Sequence, residues 1–241
     1  KNKSEEKQQQ QQGRYIIIII NNLEQRSTPT LIVIIMSTTA EPPSAAGGAT
    51  TTTKTDDDCD GGDIRPYDVE NMKLSIEQSR NAYRRDKCMP FGAVLALEDG
   101  TVYAQACNVM PSGRDGKRGG TQSEPCDPTG HAEIALLRTP GFMTLERNKR
   151  LTSTMYASTE PCVMCAGAIY WSGIGRVVYG CRASELESKV SGPGGFDIPI
   201  RELYNTNHPE NRRTIEIVGP LLEEEALQAH RDSRVWNSSS S

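Results

Sequence analysis

The sequence predicts an α/β domain in which helices cover both faces of a mixed β-sheet. Apolar segments at 91–97 and 101–106 have the pattern of a β-hairpin, and strand-like and helix-like segments alternate after it. This is the order expected of a sheet with helical crossovers. The chain has 241 residues, 36% of them hydrophobic and 24% charged, which is enough for one sizeable core with tails and short for two.

Local patterns justify the elements in chain order. Residues 69–87 place apolar side chains among charged ones in an imperfect helical stripe, and Asp99-Gly100 supplies the turn between the two hairpin strands. Residues 110–126 are rich in Gly, Ser, Pro and charge, which predicts a long surface loop. The remaining predicted elements are a helix beginning near residue 131, strands at 154–158, 176–179 and 214–218, and helices at 162–171 and 222–231.

Both ends of the chain have compositions that predict disorder. Residues 1–63 combine a glutamine run, two short apolar runs and repeats of Pro, Ala, Gly and Thr, and such sequence buries too little apolar surface to offset the entropy of ordering it. We therefore expect a disordered low-complexity tail at 1–63, a folded domain at 64–236 and a short disordered tail at 237–241. Because the first methionine is Met36, we also hypothesise that residues 1–35 are not translated, which the intact mass of the native protein tests.

Charge and cysteine content exclude several classes of protein. The formal net charge is −4, and residues 64–241 carry 21 Lys and Arg against 22 Asp and Glu, which excludes a basic coat for nucleic acid over the whole surface. No apolar run reaches the 18 residues of a membrane span. The seven cysteines lack the spacing of a disulfide framework, so we expect reduced thiols and an intracellular protein, in the cytoplasm or in the nucleus.

Two short motifs carry the chemistry. Residues 128–133 read Pro-Thr-Gly-His-Ala-Glu, and residues 160–165 read Glu-Pro-Cys-Val-Met-Cys. Cysteines at i and i+3 project from one side of a helix, and if that helix starts at Cys162, both sulfurs lie near its positive end, where thiolate is favoured. Three protein ligands that leave a fourth tetrahedral position for water are the pattern of catalytic zinc. We therefore predict one Zn²⁺ per subunit, bound by His131, Cys162 and Cys165.

Glu133 is the candidate for proton transfer. It follows the histidine by two residues at the start of another predicted helix, and a carboxylate beside an activated water can accept a proton and deliver it to a ring nitrogen and a departing amine. The alternative for Glu133 is an ordinary carboxylate in the first turn of a helix, and the alternative for the two cysteines is a structural or redox pair. Their combination in one chain favours the catalytic interpretation.

These motifs resemble those of the cytidine/deoxycytidylate deaminase superfamily, in the branch of tRNA adenosine deaminases and guanine or nucleoside deaminases. The resemblance runs from about residue 65 to 180 and includes the His-x-Glu and Pro-Cys-x-x-Cys pair typical of zinc-dependent base deaminases. It implies a three-layer α/β/α cytidine deaminase-like fold with a mixed five-stranded sheet, so that residues 64–236 form a CMP/dCMP-type zinc deaminase domain. It also implies hydrolytic deamination, the metal and proton-transfer roles assigned above, and a dimer or higher oligomer.

The resemblance also implies substrate contacts. Asn108 falls where this branch has a substrate-contacting asparagine, Phe91 opens the first strand, and Ala132 lies between the histidine and the glutamate. Trp236 is placed to close the pocket from the C-terminal tail, as the C-terminal segment does in guanine deaminase-like relatives. A turn asparagine and a tryptophan that packs a terminal helix are the alternatives for Asn108 and Trp236. Gly130 stands where relatives commonly have alanine, which we expect to be tolerated at a helix start.

Three functions are compatible with these residues. The favoured one is a zinc-dependent deaminase that releases ammonia from the exocyclic amine of a nucleobase or nucleoside of the guanine, adenine or cytosine type. The first alternative is a tRNA-specific adenosine deaminase that converts wobble adenosine to inosine. The second is a non-catalytic zinc-binding partner subunit, which the presence of Glu133 disfavours. We expect a homodimer, or a heterodimer with a deaminase paralogue, and no membrane partner; His208 and His230 are expected at the surface.

Overall fold

The computed structural model describes residues 62–110, 127–195, 198–205 and 213–236. The predicted N-terminal tail lies outside the described residues except at 62 and 63, as does the predicted loop except at Met110. The C-terminal tail and His208 lie outside them as well. Within the described part of the chain, no helix is both long enough and apolar enough to cross a membrane.

Five strands form one mixed sheet, as predicted. Strand β1 (Gly92–Ala96) lies between β2 (Val102–Cys107) and β3 (Thr154–Thr159) and is antiparallel to both. Strands β4 (Arg176–Cys181) and β5 (Glu216–Val218) continue the sheet parallel to β3, and the order across it is β2-β1-β3-β4-β5. Because the cysteine motif follows β3 directly, it lies at the edge where the carboxyl ends of the parallel strands meet.

Helices pack on both sides of this sheet. Four of them agree with the predicted helices to within about two residues at either end, whereas four shorter ones have no counterpart in the predictions because they span too few residues to show a periodicity. In the described part of the chain the helices are α1 (Asp68–Asp86), α2 (Ala132–Leu137), α3 (Pro140–Thr144), α4 (Arg147–Thr152), α5 (Val163–Ser172), α6 (Ala183–Leu186, continued by a π-helical turn), α7 (Ile200–Asn205) and α8 (Glu223–Ser233).

The strands bury both of their faces, so alternate side chains enter two separate cores. On one face, Val94 of β1 packs with Met72 of α1 and Leu227 of α8. On the other face, Leu95 packs in a second cluster with side chains of α2, α5 and α7. The helical members of that second cluster include Leu136, Ile169 and Ile200. The predicted three-layer arrangement is therefore confirmed.

A buried ion pair holds α1 against the sheet. Both carboxylate oxygens of Asp68 accept hydrogen bonds from the Arg176 guanidinium, at 2.8 and 2.7 Å, and the Tyr156 hydroxyl donates to Asp68 at 2.6 Å. Asp68 and Arg176 are 0% and 2% exposed. Burial alone would raise the pKa of Asp68, but the hydrogen bonds from Arg176 and Tyr156 outweigh it and lower that pKa.

The position of His230 corrects one expectation. The side chain is 0% exposed on α8, although the sequence places polar and charged residues beside it and led us to expect it at the surface. The signal that would have located it is helical spacing, since Ala226 and Leu227 precede it by four and three residues and belong to the core. His230 therefore lies on the buried stripe of its helix.

Candidate metal centre

A tight turn presents His131 at the start of α2. The Asp127 carboxylate accepts hydrogen bonds from the backbone and hydroxyl of Thr129, at 2.8 and 2.6 Å, and also from Arg138. These bonds lower the pKa of the exposed Asp127 to about 2, with the Thr129 hydroxyl as the largest cause. The turn places His131 at the N-cap of α2, with extended backbone angles of φ −63° and ψ 155°, so its side chain projects outside the helix.

The close approach of Gly130 to strand β2 fixes this turn further. The Val109 N–H donates to the Gly130 carbonyl at 2.9 Å, and a Cβ added to Gly130 would lie 2.4 Å from Val109 Cγ2. Glycine is therefore favoured here by space and not by an unusual dihedral angle. The expectation that alanine is tolerated at this position is wrong unless the Val109 side chain moves.

The two cysteines occupy the start of α5. Cys162 is the N-cap residue, with φ −65° and ψ 167°, and its carbonyl accepts from the Ala166 N–H at 2.8 Å. Cys165 lies one turn along and is 0% exposed. Pro161 stands just before the N-cap, where its missing N–H and fixed φ are compatible with a helix boundary. The sequence prediction that both sulfurs lie at the N-terminal end of this helix is confirmed.

The structure brings the three predicted metal donors together. The His131 Nδ1 atom lies 3.6 Å from the Sγ atom of Cys162 and 3.6 Å from that of Cys165, and all three atoms lie within 4.8 Å of one another. Tetrahedral zinc, with bonds of about 2.0 Å to nitrogen and about 2.3 Å to sulfur, separates the two kinds of ligand by about 3.5 Å. The donor set therefore fits one zinc ion.

The protons of the three donors are shared in a way that suits a cation. A hydrogen bond from Cys165 lowers the pKa of Cys162 to about 4, and His131 lowers it further. The same bond, together with burial, raises the pKa of Cys165, and the contact with Cys162 raises the pKa of His131. A divalent cation that binds here displaces the remaining protons.

Glu133 lies in the first turn of α2, close to these donors. Its side chain is 7% exposed, and burial is the largest cause of a raised pKa, to which the negative charge on Cys162 adds. A carboxyl group with a raised pKa can both accept and return a proton near neutral pH. The environment of Glu133 is thus that of a proton carrier more than that of a solvated helix carboxylate.

Asn108 lies beside the metal donors at the end of β2. It is 1% exposed; its Oδ1 accepts from the Met110 N–H at 2.5 Å, whereas its Nδ2 has no hydrogen-bond partner among the described residues. Its backbone N–H donates to the Phe91 carbonyl at 3.0 Å. Phe91, also predicted to contact substrate, is therefore directly joined to Asn108.

Two predicted substrate contacts are placed less directly. The Ala132 methyl group is fully buried in the core on the α2 side of the sheet, so its side chain packs against protein. Trp236 follows α8 and is half-buried, with a buried Nε1 that has no hydrogen-bond partner in the described part of the chain. Substrate contact by either residue stays a prediction.

Three residues around the site did not emerge from the sequence patterns. Asp127 shapes the histidine turn, and the Asp-Pro-Thr-Gly sequence was an available turn signal. Glu160 bonds to the N-terminal ends of α6 and α7, and His230 contacts the end of β3. These last two contacts span 23 to 71 positions of sequence, which no local pattern reports.

Comparison with known proteins gives the family. Residues 66–181 match the cytidine and deoxycytidylate deaminase zinc-binding region. A probable cytosine deaminase from Schizosaccharomyces pombe is 34% identical over 169 residues, which are 68% of this chain and 90% of that protein. This chain belongs to the cytidine and deoxycytidylate deaminase family. Its predicted class, a zinc-dependent hydrolytic deaminase, is confirmed.

Other relatives of this deaminase family member carry different names. A tRNA-specific adenosine deaminase from Haemophilus influenzae is 33% identical over 162 residues, covering 67% of this chain and 80% of that protein. A guanine deaminase from Bacillus subtilis is 32% identical over 136 residues, covering 56% of this chain and 74% of that protein. The family relationship is thus shared by enzymes named for three different bases.

Proposed function

We propose that this deaminase acts on a free nucleobase, with cytosine as the first candidate. The observation that carries the chemistry is the pair of 3.6 Å distances from His131 Nδ1 to the two cysteine sulfurs, beside a buried Glu133. The choice of base is supported by the S. pombe relative, 90% of whose length aligns with this chain. The near balance of charge over residues 64–241 also favours a small neutral substrate.

In this proposal each residue has a defined task. His131, Cys162 and Cys165 would hold the zinc ion, which when bound activates a water molecule for attack. Glu133 accepts one proton of that water and delivers it to the ring nitrogen beside the amine-bearing carbon. As oxygen bonds to that carbon, a second proton passes through Glu133 to the amine, the carbon–nitrogen bond breaks, and ammonia leaves a carbonyl behind.

Asn108 would orient the base. Its free Nδ2 group can only donate, so its partner on the substrate must be an acceptor such as a ring carbonyl oxygen. Cytosine and guanine offer such an oxygen, and adenine offers only ring nitrogens. Phe91 is the aromatic neighbour of Asn108 and would pack against the base, with Trp236 closing the pocket.

A tRNA substrate is the second candidate. It is supported by the tRNA-specific relative, of which this chain covers 80%, and by the Pro-Cys-Val-Met-Cys-Ala-Gly-Ala-Ile sequence at the metal site. A polynucleotide requires basic side chains that hold its phosphates. Arg138, the basic side chain nearest to the histidine turn, instead pairs with Asp127, which favours the free base.

We also propose that the enzyme is a homodimer that assembles through α5. This helix has no charged side chain in its ten residues, and Trp171 and Met164 on it are 85% and 36% exposed. An apolar helix face on the surface is typical of a protein interface. Light scattering should give a dimer for the wild type and a monomer for Trp171→Lys, while Met143→Lys, at another exposed apolar position, should stay dimeric. A monomeric wild type would refute this, and pairing only with a paralogue would replace it.

A cytoplasmic location is proposed on the chemistry of the site. Cys162 and Cys165 are free thiols held close together, and they bind metal only while they are reduced. Fractionation of cells that express the tagged full chain tests this, and recovery from an oxidising compartment would refute it.

A panel assay of the zinc-loaded full chain decides the substrate. Ammonia release would be measured from cytosine, guanine, adenine and their nucleosides, beside inosine formation in tRNA. We expect turnover of a free base, with cytosine the best. Turnover of tRNA alone would reverse the assignment, and a zinc-loaded protein that is inactive on every substrate would identify a non-catalytic subunit.

A further inference from the structure

His230 joins the C-terminal helix to two segments that border the site. Its Nε2 atom lies 2.9 Å from the hydroxyl oxygen of Thr159, the last residue of β3 and three positions before Cys162. Its ring packs edge-on against Phe91, with ring centroids 5.0 Å apart and planes inclined at 63°. A single side chain of α8 thus contacts both the strand that leads into the cysteine motif and the residue that precedes β1.

Phe91 connects His230 to the base-binding side of the site. The Phe91 carbonyl accepts from the Asn108 N–H at 3.0 Å, and the next residue, Val109, donates to the carbonyl of Gly130 beside the metal-ligating histidine. The path from His230 to Asn108 therefore consists of direct contacts. A displacement of the His230 ring moves Phe91 first and Asn108 with it.

An imidazole is a costly way to fill this position. His230 is fully buried, and this burial lowers its pKa to about 3, so the ring is neutral near pH 7. A neutral imidazole has one donor and one acceptor nitrogen, yet Nδ1 has no hydrogen-bond partner among the described residues. An aliphatic side chain would fill the space without that desolvation cost. What the histidine adds is a directional bond to Thr159 together with an aromatic edge against Phe91.

We propose that His230 is a positioning residue for the base-binding pocket. It fixes Phe91 relative to the end of β3 and, through Phe91, sets the place of Asn108. This inference rests on the proposed function, because that function assigns Phe91 and Asn108 to the substrate. Since the contacts of His230 are with Thr159 and Phe91, its loss affects substrate binding and leaves metal ligation and proton transfer unchanged.

Two substitutions remove the same hydrogen bond from opposite sides. His230→Phe keeps an aromatic ring against Phe91 and loses the bond to Thr159, whereas Thr159→Val loses the hydroxyl and keeps the imidazole. In the zinc-loaded full chain, each should raise KM for the best substrate by about 3- to 10-fold, the usual worth of one hydrogen bond. We expect kcat within about twofold of the wild type and one zinc per chain. The double variant should be no worse than the poorer single one.

Leu227→Val is the matched control. Leu227 lies on the same buried stripe of α8, so this substitution should lower the thermal midpoint and leave KM unchanged. If His230→Phe fails to fold, Thr159→Val carries the test alone. An unchanged KM, or a joint loss of kcat and zinc, would show a merely structural role and overturn the inference while the deaminase function stands.

A direct binding measurement separates this inference from the proposed function. If the zinc-loaded wild type deaminates none of the panel, the proposed function fails, and calorimetric titration with cytosine then decides the role of His230. A roughly 3- to 10-fold weaker affinity of His230→Phe than of the wild type supports the inference. Equal affinities, or no binding by either protein, overturn it.

Discussion

The Glu160 carboxylate accepts a hydrogen bond from the backbone N–H of Ile200, the first residue of α7, at 3.0 Å. Its second oxygen accepts from the N–H of Ala183, the first residue of α6, at 3.3 Å. The Tyr204 hydroxyl of α7 in turn donates to the Ala166 carbonyl of α5 at 2.8 Å. The residue that begins the cysteine motif is therefore held by two helices that follow it in the chain.

Removal of the Glu160 carboxylate should loosen the metal-binding turn. Glu160→Ala leaves two backbone N–H groups without their partner, which lowers the free energy of unfolding by about 1–3 kcal/mol, and zinc should bind more weakly. Glu160→Gln keeps one acceptor oxygen and should lose less. Denaturant titration and chelator competition measure the two effects, and a Glu160→Ala protein identical to the wild type in both would contradict this account.

Glu133→Gln should separate metal binding from catalysis. The amide fills the same space but cannot accept and return a proton, so kcat should fall about 10²- to 10⁴-fold while one zinc per chain is retained. Steady-state kinetics and metal analysis test this. Glu146→Gln, an exposed glutamate at the N-cap of α4, is the control and should keep wild-type activity. A fully active Glu133→Gln protein would remove the assigned role.

Zinc affinity should rise with pH. The hydrogen bond with Cys162 and burial raise the pKa of Cys165, and the contact with Cys162 raises the pKa of His131, so the bound cation competes with protons that leave as the solution becomes more alkaline. Competition with a coloured chelator between about pH 5 and 8 measures the slope. Cys165→Ser should lose zinc, while Cys181→Ser, a buried thiol outside the cluster, should keep it. A flat profile would argue against thiolate ligation.

Asp68→Asn should strongly destabilise the domain at neutral pH. It leaves the buried Arg176 without its charge partner, which costs about 3–5 kcal/mol. Because the folded-state pKa of Asp68 lies below its ordinary value of 3.8, this contribution is present above pH 3.8 and fades as the pH falls through the folded-state value. Chemical denaturation at pH 7 and pH 3 should therefore show a smaller difference at pH 3. Arg84→Met, which breaks the exposed pair with Glu77, should change little.

Gly130→Ala should disturb the histidine turn. The added Cβ would lie 2.4 Å from Val109 Cγ2, and such overpacking typically costs about 1–3 kcal/mol. Val109→Ala removes the clashing methyl groups, so the double variant should recover the stability and activity that Gly130→Ala loses. Thermal melts and kinetics of the three variants test this. Equal stability of Gly130→Ala and the wild type would show that Val109, which is exposed, moves aside freely.

Much of this architecture could be read from local patterns, and the reason is physical. The hairpin, α1 and α5 carry their own periodicity or turn residues, and the metal donors occupy N-cap positions that Pro161 and the surrounding motifs mark. By contrast, α3 and α4 have only five and six residues, too few for a periodicity to stand out.

The supporting contacts of the site could not be predicted in the same way. His230 and Thr159 are 71 positions apart, and Glu160 and Ile200 are 40 apart. Pairings of this kind depend on how the sheet brings distant segments together. A charged residue such as Glu160 also looks the same in sequence whether it is solvated or bonded to helix ends.

The hydrogen bond between Val109 and Gly130 has a consequence for how the chain can vary. It pins the departure of the chain from β2 and its return at the histidine turn to neighbouring points, so the 20 positions between them form an excursion with both feet anchored. Lengthening such an excursion costs only about 0.6 kcal/mol per doubling. Insertions or deletions there can therefore remodel the rim of the site while leaving the histidine where it is.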